Sequence, residues 1–517
     1  MHICITYSPL SRIELGQGGI FLRKQLPIFY NALLLTGVNL LLRFVSTSFQ
    51  VHISAQIGPE GVGMLQLVMS VGGLSLTAGI AGIRTATMYL TAEELGQKNP
   101  QNITWILRGS FIYSIICSGA VSLFLYSAAP YIAHNWIGNP QTTDAIRLFA
   151  MFLPLVCLTG CMTGYFTAAN KITTLAGIEI AEQLCYMVVT MASLHFWAGH
   201  NAEKACKAVV IGSGVSSILT LICLILLRSR EKAPKGMRIP VTRRMIHAAV
   251  PLALGDNLKA GINTTENLMV PKRLSLYSGE LTPLATFGVV IGMVFPILMF
   301  PAAILFALAE LLIPELARCA ASGSQMRIQY LVRRGLRVAM LYGCLCGGIL
   351  YLLARKLCHT IYNNTLAGSY LEAYSILAPM LYCDAITDAM IKGLGQQKVC
   401  VRYNILTASM DVLLLYMLLP KYGMVGYFIS FLITHAINFC LSLRRLVHIV
   451  KIKIPFYLPV LTFCATMLAV GAAKAIHHYT LQITVFILVM GSFLVLFQVI
   501  SKKDILWIKG LIFKNGL

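Results

Sequence analysis

Thr36, Asn39, Arg43, Ser46, Thr47 and Gln50 are polar positions within the largely apolar run NALLLTGVNLLLRFVSTSFQV at positions 31–51. At about 100° per residue they fall within an arc of about 100° on a helix, which gives it one polar stripe with Arg43 near the middle. A charge at the centre of a membrane helix costs on the order of 2.5–3.5 kcal/mol on the mildest scales, so such residues line cavities or ligand paths. The chemistry on offer is anion binding, because a planar guanidinium holds phosphate oxygens bidentately. The alternative is a structural pair with a buried carboxylate of a neighbouring helix.

Two more apolar runs carry similar faces. In the run at 61–91 that closes in GIAGIRTATMYLTAEE the residues Ser70, Thr77, Arg84, Thr87 and Thr91 share one side, and Gly72, Gly73, Gly79 and Gly82 permit close helix approach. Arg84 sits nearer the end of its run, where snorkelling to the interface is its alternative role. A later run holds Asp256, Lys259, Asn263, Glu266 and Asn267. The candidate substrate-binding residues are therefore Arg43, Asn39, Thr47, Arg84, Lys259 and Asn263. If Arg43, Arg84 and Lys259 face one space, that space is basic: it suits a phosphorylated ligand and repels a cationic drug.

Asp256, Glu266, Asp384, Asp388 and Asp411 are acids placed inside apolar runs, the kind that couple Na+ or H+. Counter-ions to nearby arginines and lysines are the alternative for them. Glu179 and Glu182 are candidate partners of Arg43 or Lys171, and Glu310 and Glu315 fall at the cytoplasmic end of their helix. The fifteen cysteines lack the paired spacing of a zinc site and read as small packing residues. No cofactor or metal is implied beyond the coupling ion.

The elements that position these residues follow from composition. The chain has 517 residues, 57% of them hydrophobic and 12% charged, with a mean hydropathy of +0.75. This is an all-α polytopic membrane protein, with about fourteen runs long enough to cross about 30 Å of hydrocarbon. No secretory signal precedes the first run. The formal charge of +22 would suggest nucleic acid in a soluble protein, but 28 of the 41 basic residues fall in alternate loops. By the positive-inside rule both termini are cytoplasmic, and nucleic-acid binding is the wrong reading.

The halves repeat. The positions of Thr36, Asn39, Arg43, Ser46 and Thr47 recur, 220 residues later, as Asp256, Lys259, Asn263, Glu266 and Asn267. Glu94 answers to Glu315 and Lys171 to Lys398, at shifts of 221 and 227. The expected organisation is a tail (1–27), a first six-helix lobe (28–229), a basic linker (230–244), a second six-helix lobe (245–448), a helix pair (449–501) and a basic tail (502–517). Repeated halves with polar sites in corresponding helices are the plan of alternating-access transporters.

The stretches IGPEGVGMLQLVMSV, AGIRTATMYLTAEELGQKN, GYFTAANKITTLAGIEIAEQL and IKGLGQQKVCVRYNILTASMDVLLLYMLLPKYGMVG resemble the stage V sporulation protein B branch of the polysaccharide-exporter and multidrug-extrusion (MOP) superfamily. That superfamily includes the murein lipid II flippases. The resemblance spans most of residues 28–500. It implies two lobes in a V around a central cavity, an ion-linked or potential-driven rocking cycle, and a C-terminal helix pair that helps form a groove for a polyprenyl tail. The implied substrate is an undecaprenyl-pyrophosphate-linked saccharide, a peptidoglycan or polysaccharide precursor of spore cortex or cell wall, in the bacterial cytoplasmic membrane. Implied partners are this anionic lipid-linked saccharide, membrane lipids and cell-wall synthesis enzymes.

Three rivals remain beside it. A cation-coupled multidrug antiporter would call for an acidic first-lobe cavity, yet the first helix has no acid. A scaffold of a wall-synthesis complex has no need of charge in mid-membrane. An enzyme would need an acid–base constellation or a large loop, and no loop exceeds about 20 residues.

Overall fold

A chain this apolar must satisfy its backbone hydrogen bonds within each segment, and helices do so. The computed structural model describes residues 15–497 other than 81, 98, 170, 199–200, 231–240, 280–281, 453–456 and 477. Among the described residues there are sixteen α-helices and no strand. In the first half they are α1 (Leu15–Ile80), α2 (Ile83–Gly96), α3 (Ile103–Tyr131), α4 (Thr143–Ala168), α5 (Ile172–Ser193) and α6 (Ala202–Ser229). The second half has α7 (Val241–Leu274), α8 (Pro283–Gly288), α9 (Phe295–Met299), α10 (Ala302–Ala321), α11 (Gln325–Tyr362), α12 (Thr365–Ser375), α13 (Ala378–Gly393) and α14 (Gln397–Val450). The chain ends in α15 (Tyr457–Lys474) and α16 (Tyr479–Leu496).

The all-helical membrane class holds, while the count of about fourteen is not reproduced by length and apolarity. Eight helical stretches among the described residues qualify as membrane crossings, or nine when Pro283–Met299 and Ala302–Ala321, bent by 62°, are one. Two long helices are each two limbs joined at a glycine with positive φ, Gly58 (φ 80°) in α1 and Gly423 (φ 56°) in α14. The limbs of α14 fold back on each other, since Ser430 Oγ donates to Asp411 Oδ1 at 2.6 Å across the bend. The α1 helix begins at Leu15, inside the stretch expected as a tail, whereas residues 1–14, most of the basic linker and the tail 502–517 lie outside the described residues.

Each half has its own apolar core. Phe49, Met64, Leu125, Ile146 and Val209 join α1, α3, α4 and α6. In the second half Leu298, Leu316, Tyr374, Tyr382 and Ile386 are fully buried. The last two helices pack on α11 through Cys344, Ala465, Ala469 and Phe486. Eight cysteines between Cys157 and Cys400 are free and buried, as packing residues should be.

The halves meet along α1, α2, α7 and α8. The second limb of α1 and α8 approach so closely that a Cβ on Gly288 would lie 2.0 Å from the Pro59 carbonyl oxygen. Ser54 Oγ donates to the Gly292 carbonyl at 2.9 Å, and Asn267 Nδ2 donates to Ser70 Oγ at 2.9 Å. Between α1 and α2 the backbone turns at Gly82 (φ 73°), where a Cβ would sit 2.4 Å from the carbonyl oxygen of Ala249 on α7.

Candidate functional site

Of the polar stripe of helix α1, the described side chains are Arg43, Ser46, Thr47 and Gln50. Arg43 is exposed, and its guanidinium carbon lies 4.1 Å from the ring centre of Phe306 on α10, a cation–π contact between the two halves. The adjacent Phe44 meets Phe300 at 5.0 Å. Among the described residues Arg43 has no carboxylate partner, so the structural-pair role is not what is observed. Thr47 is half-buried on the same helix, and Ser46 and Gln50 open onto a cavity within the first half. The side chains of Thr36 and Asn39 lie outside the described residues.

The repeated helix, α7, contributes differently. Asp256, Lys259 and Asn263 line a cavity of about 370 Å³ together with Thr77 and Gly82. Lys259 and Asn263 are thus brought together, with Asp256 offsetting the lysine charge, while Arg43 and Arg84 are not among the lining residues. Arg84 is exposed beyond the Gly82 turn, close enough to Glu179 for their charges to interact. Glu182 takes neither Arg43 nor Lys171: it accepts from Ser217 Oγ at 3.4 Å and from Thr220 on α6. Lys171 lies against the rings of Tyr165 and Phe166.

Three intramembrane acids of the second half, Asp384, Asp388 and Asp411, each bond the second limb of α14. Asp411, on the first limb of α14, accepts from Ser430 Oγ and from Thr434 Oγ1 at 3.2 Å. Glu266 of α7 lies close enough to Asp411 for their charges to interact, and no ion pair joins it to Lys259 among the described residues. Asp384 of α13 accepts from Asn438 Nδ2 at 3.1 and 3.0 Å, with His435 Nδ1 at 3.9 Å. One turn further on, Asp388 accepts from Ser442 Oγ and Asn404 Nδ2, each at 3.2 Å. The counter-ion reading expected arginine or lysine here. The observed partners are hydroxyls, amides and one imidazole.

Ser430, Thr434, Asn438 and Ser442 form a polar ladder that sequence reasoning missed, although its signal was present. Four polar residues at i+4 spacing define one face of a helix, and all four are buried. Glu315 bonds Arg327 at 2.6 Å, whereas Glu94, its counterpart in the repeat, is held by Arg244.

This arrangement, two helical halves meeting along broken and bent helices with polar residues inside the membrane, is the fold of the MOP-superfamily transporters. Residues 35–197 match the MatE family model. The chain is 20% identical to stage V sporulation protein B of Bacillus subtilis (strain 168) over 465 residues, which is 86% of this chain and 89% of that one. Among solved structures, an inward-facing multidrug resistance MATE family transporter of the MOP superfamily matches with a TM-score of 0.66 and 13% identity, over 81% of this chain and 100% of that one. The lipid II flippase MurJ, in an inward closed conformation, matches with a TM-score of 0.66 and 13% identity, over 90% and 98%. A MOP superfamily transporter from Pyrococcus furiosus, described as having a binding pocket of reverse polarity, matches with a TM-score of 0.59 and 13% identity, over 82% and 96%. The resemblance read from the sequence motifs therefore holds: this is an integral membrane protein of the MOP fold, similar to transporters and a flippase.

Proposed function

We propose that the protein is a flippase that moves an undecaprenyl-pyrophosphate-linked saccharide between leaflets by alternating access, with both termini in the cytoplasm. The observation that carries this reading is Arg43: an exposed guanidinium inside a membrane helix, braced by an aromatic ring and without a carboxylate partner among the described residues. Such a group offers its donors to an anion, and a pyrophosphate is the anion a lipid carrier brings. The similarity to stage V sporulation protein B and to the MurJ lipid II flippase supports the same class. A groove of about 270 Å³ between α11, α13 and α15, lined by Gly347, Gly348, Phe463, Met467 and Val470, is suited to part of a polyprenyl tail.

The acids of the second half are the proposed coupling site for Na+ or H+. Glu266 and Asp411 set two carboxyls side by side, an all-oxygen pair that a hard cation between them would bridge. Asn438 gives its amide protons to Asp384 and leaves its own oxygen buried without a partner, a ligand type that hard cations take. These acids also keep the multidrug antiporter as the second reading.

The test is transport of a fluorescent undecaprenyl-pyrophosphate-linked precursor in proteoliposomes, beside a cationic dye. Precursor movement that is lost in Arg43→Ala supports the flippase. Dye movement without precursor movement makes the protein a drug antiporter instead.

A further inference from the structure

Beside the Arg43 stripe, the first half forms a partly open cavity of about 280 Å³ between the two limbs of α1, α5 and α6. Its polar lining includes three primary amides, Gln50, Gln66 and Gln183, and the hydroxyl of Ser46; no lining residue carries a formal charge. All three glutamines are half-buried, and among the described residues none of their amides has a protein partner. The amides are therefore free to pair with whatever fills the cavity. Three amides lining one space, each with two donors and an acceptor, match a ligand rich in neutral hydrogen-bonding groups. A charged group would enter without a counter-charge. An aromatic wall completes the site, Phe49 meeting Tyr186 edge-on at 5.4 Å.

Size and position narrow the occupant. The cavity is just below the range of about 300–1,000 Å³ typical of pockets for drug-sized ligands, which favours a single ring. Ser46 and Gln50 follow Arg43 on the same stripe, about 4.5 and 10.5 Å along the helix axis at 1.5 Å per residue. A ligand with its phosphate on Arg43 would present its next group here.

We infer that this cavity is a sugar subsite, in which Gln50, Gln66 and Gln183 hold the hydroxyl or N-acyl groups of the first sugar on the lipid pyrophosphate. The inference rests on the flippase reading and names which part of the headgroup selects. A site built to hydrogen-bond hydroxyls discriminates strongly against a ligand lacking them.

The full-length protein in nanodiscs is titrated with undecaprenyl pyrophosphate carrying one N-acetylhexosamine and with the same lipid lacking the sugar. Wild type is expected to prefer the glycosylated lipid at least tenfold. Gln66→Leu combined with Gln183→Leu should abolish the preference while leaving the affinity for the sugarless lipid unchanged, which also reports an intact fold. Should that variant bind neither lipid, Gln66→Asn and Gln183→Asn decide, since shortened amides must still reduce the preference. Persistence of the preference, or its absence in a wild type that binds both lipids, overturns the sugar subsite alone. A wild type that binds neither lipid overturns the flippase reading as well.

Discussion

Arg244 and Glu94 join the two halves of the chain: Nη1 of the arginine lies 2.9 Å from Oε1 of the glutamate, while Nη2 holds Glu93 at 2.9 Å. Glu94 is only 3% exposed, and its second oxygen accepts from Asn102 Nδ2 at 2.8 Å. The fork ties the end of α2 to the start of α7. Any motion that parts these helices must break it.

Removing one partner of a buried pair is costly because the other is left charged and unpaired, by about 3–5 kcal/mol when both are fully buried. Arg244 is 40% exposed, so the cost for Arg244→Ala is expected near the low end of that range. Glu93 is 33% exposed, and Glu93→Ala is expected to cost no more than about 1 kcal/mol. Thermal midpoints in detergent at one scan rate would rank the two. Equal midpoints would mean that Glu94 is not relying on Arg244.

The close approach of α1 and α8 makes a second prediction. A Cβ on Gly288 would lie 2.0 Å from the Pro59 oxygen and 2.5 Å from the Gly63 nitrogen, both backbone atoms that cannot rotate away. Overpacking of this kind costs about 1–3 kcal/mol or more. Gly288→Ala should therefore lower the thermal midpoint or force the halves apart. Gly119→Ala in α3, where nothing lies within 4 Å of the new carbon, should be neutral or stabilise by up to about 1 kcal/mol.

Much of this was legible in the sequence because membrane helices obey one strong constraint. A polar residue must face away from lipid, so periodicity alone put Arg43, Ser46 and Gln50 on one face. The shift of 220 residues aligns α1 with α7, yet position 263 is an asparagine where position 43 is an arginine, and Arg43 is not among the residues that line the cavity of Lys259. Sequence spacing could not reveal partners distant along the chain. Glu182 chose hydroxyls of α6 over a cation, and Asp384 and Asp388 chose Asn438 and Ser442, each 54 residues away. The helix count was obscured for a physical reason too: Gly58 and Gly423 bend continuous hydrogen-bonded helices, while Asp256, Lys259 and Glu266 make α7 too polar to register as a crossing.

The acid cluster predicts an ion-dependent stability. If Na+ binds among Asp384, Asn438 and their neighbours, adding NaCl at constant ionic strength should raise the thermal midpoint, because a ligand that binds only the folded state stabilises it by mass action. Asp384→Asn should erase the Na+ increment. It should cost less than losing a buried ion pair, since its close partner, Asn438, is neutral. If the increment survives in Asp384→Asn and disappears in Asp411→Asn, the ion belongs instead to the Glu266–Asp411 pair.

Arg43 itself distinguishes charge from shape. Lysine would retain the positive charge but not the planar fork that binds two phosphate oxygens at once. If Arg43 holds a pyrophosphate, Arg43→Ala should slow precursor movement by at least about tenfold, equivalent to about 1.4 kcal/mol, while Arg43→Lys should fall between it and wild type. Phe306→Leu leaves the guanidinium in place and removes the ring 4.1 Å away, so it should weaken binding by the smaller amount that a cation–π contact contributes, about 0.5–2 kcal/mol. Arg43→Lys behaving as wild type would make the residue a point charge. Arg43→Ala behaving as wild type would remove it from the ligand path, and the phosphate-binding role would pass to Lys259, the basic residue that lines the neighbouring cavity.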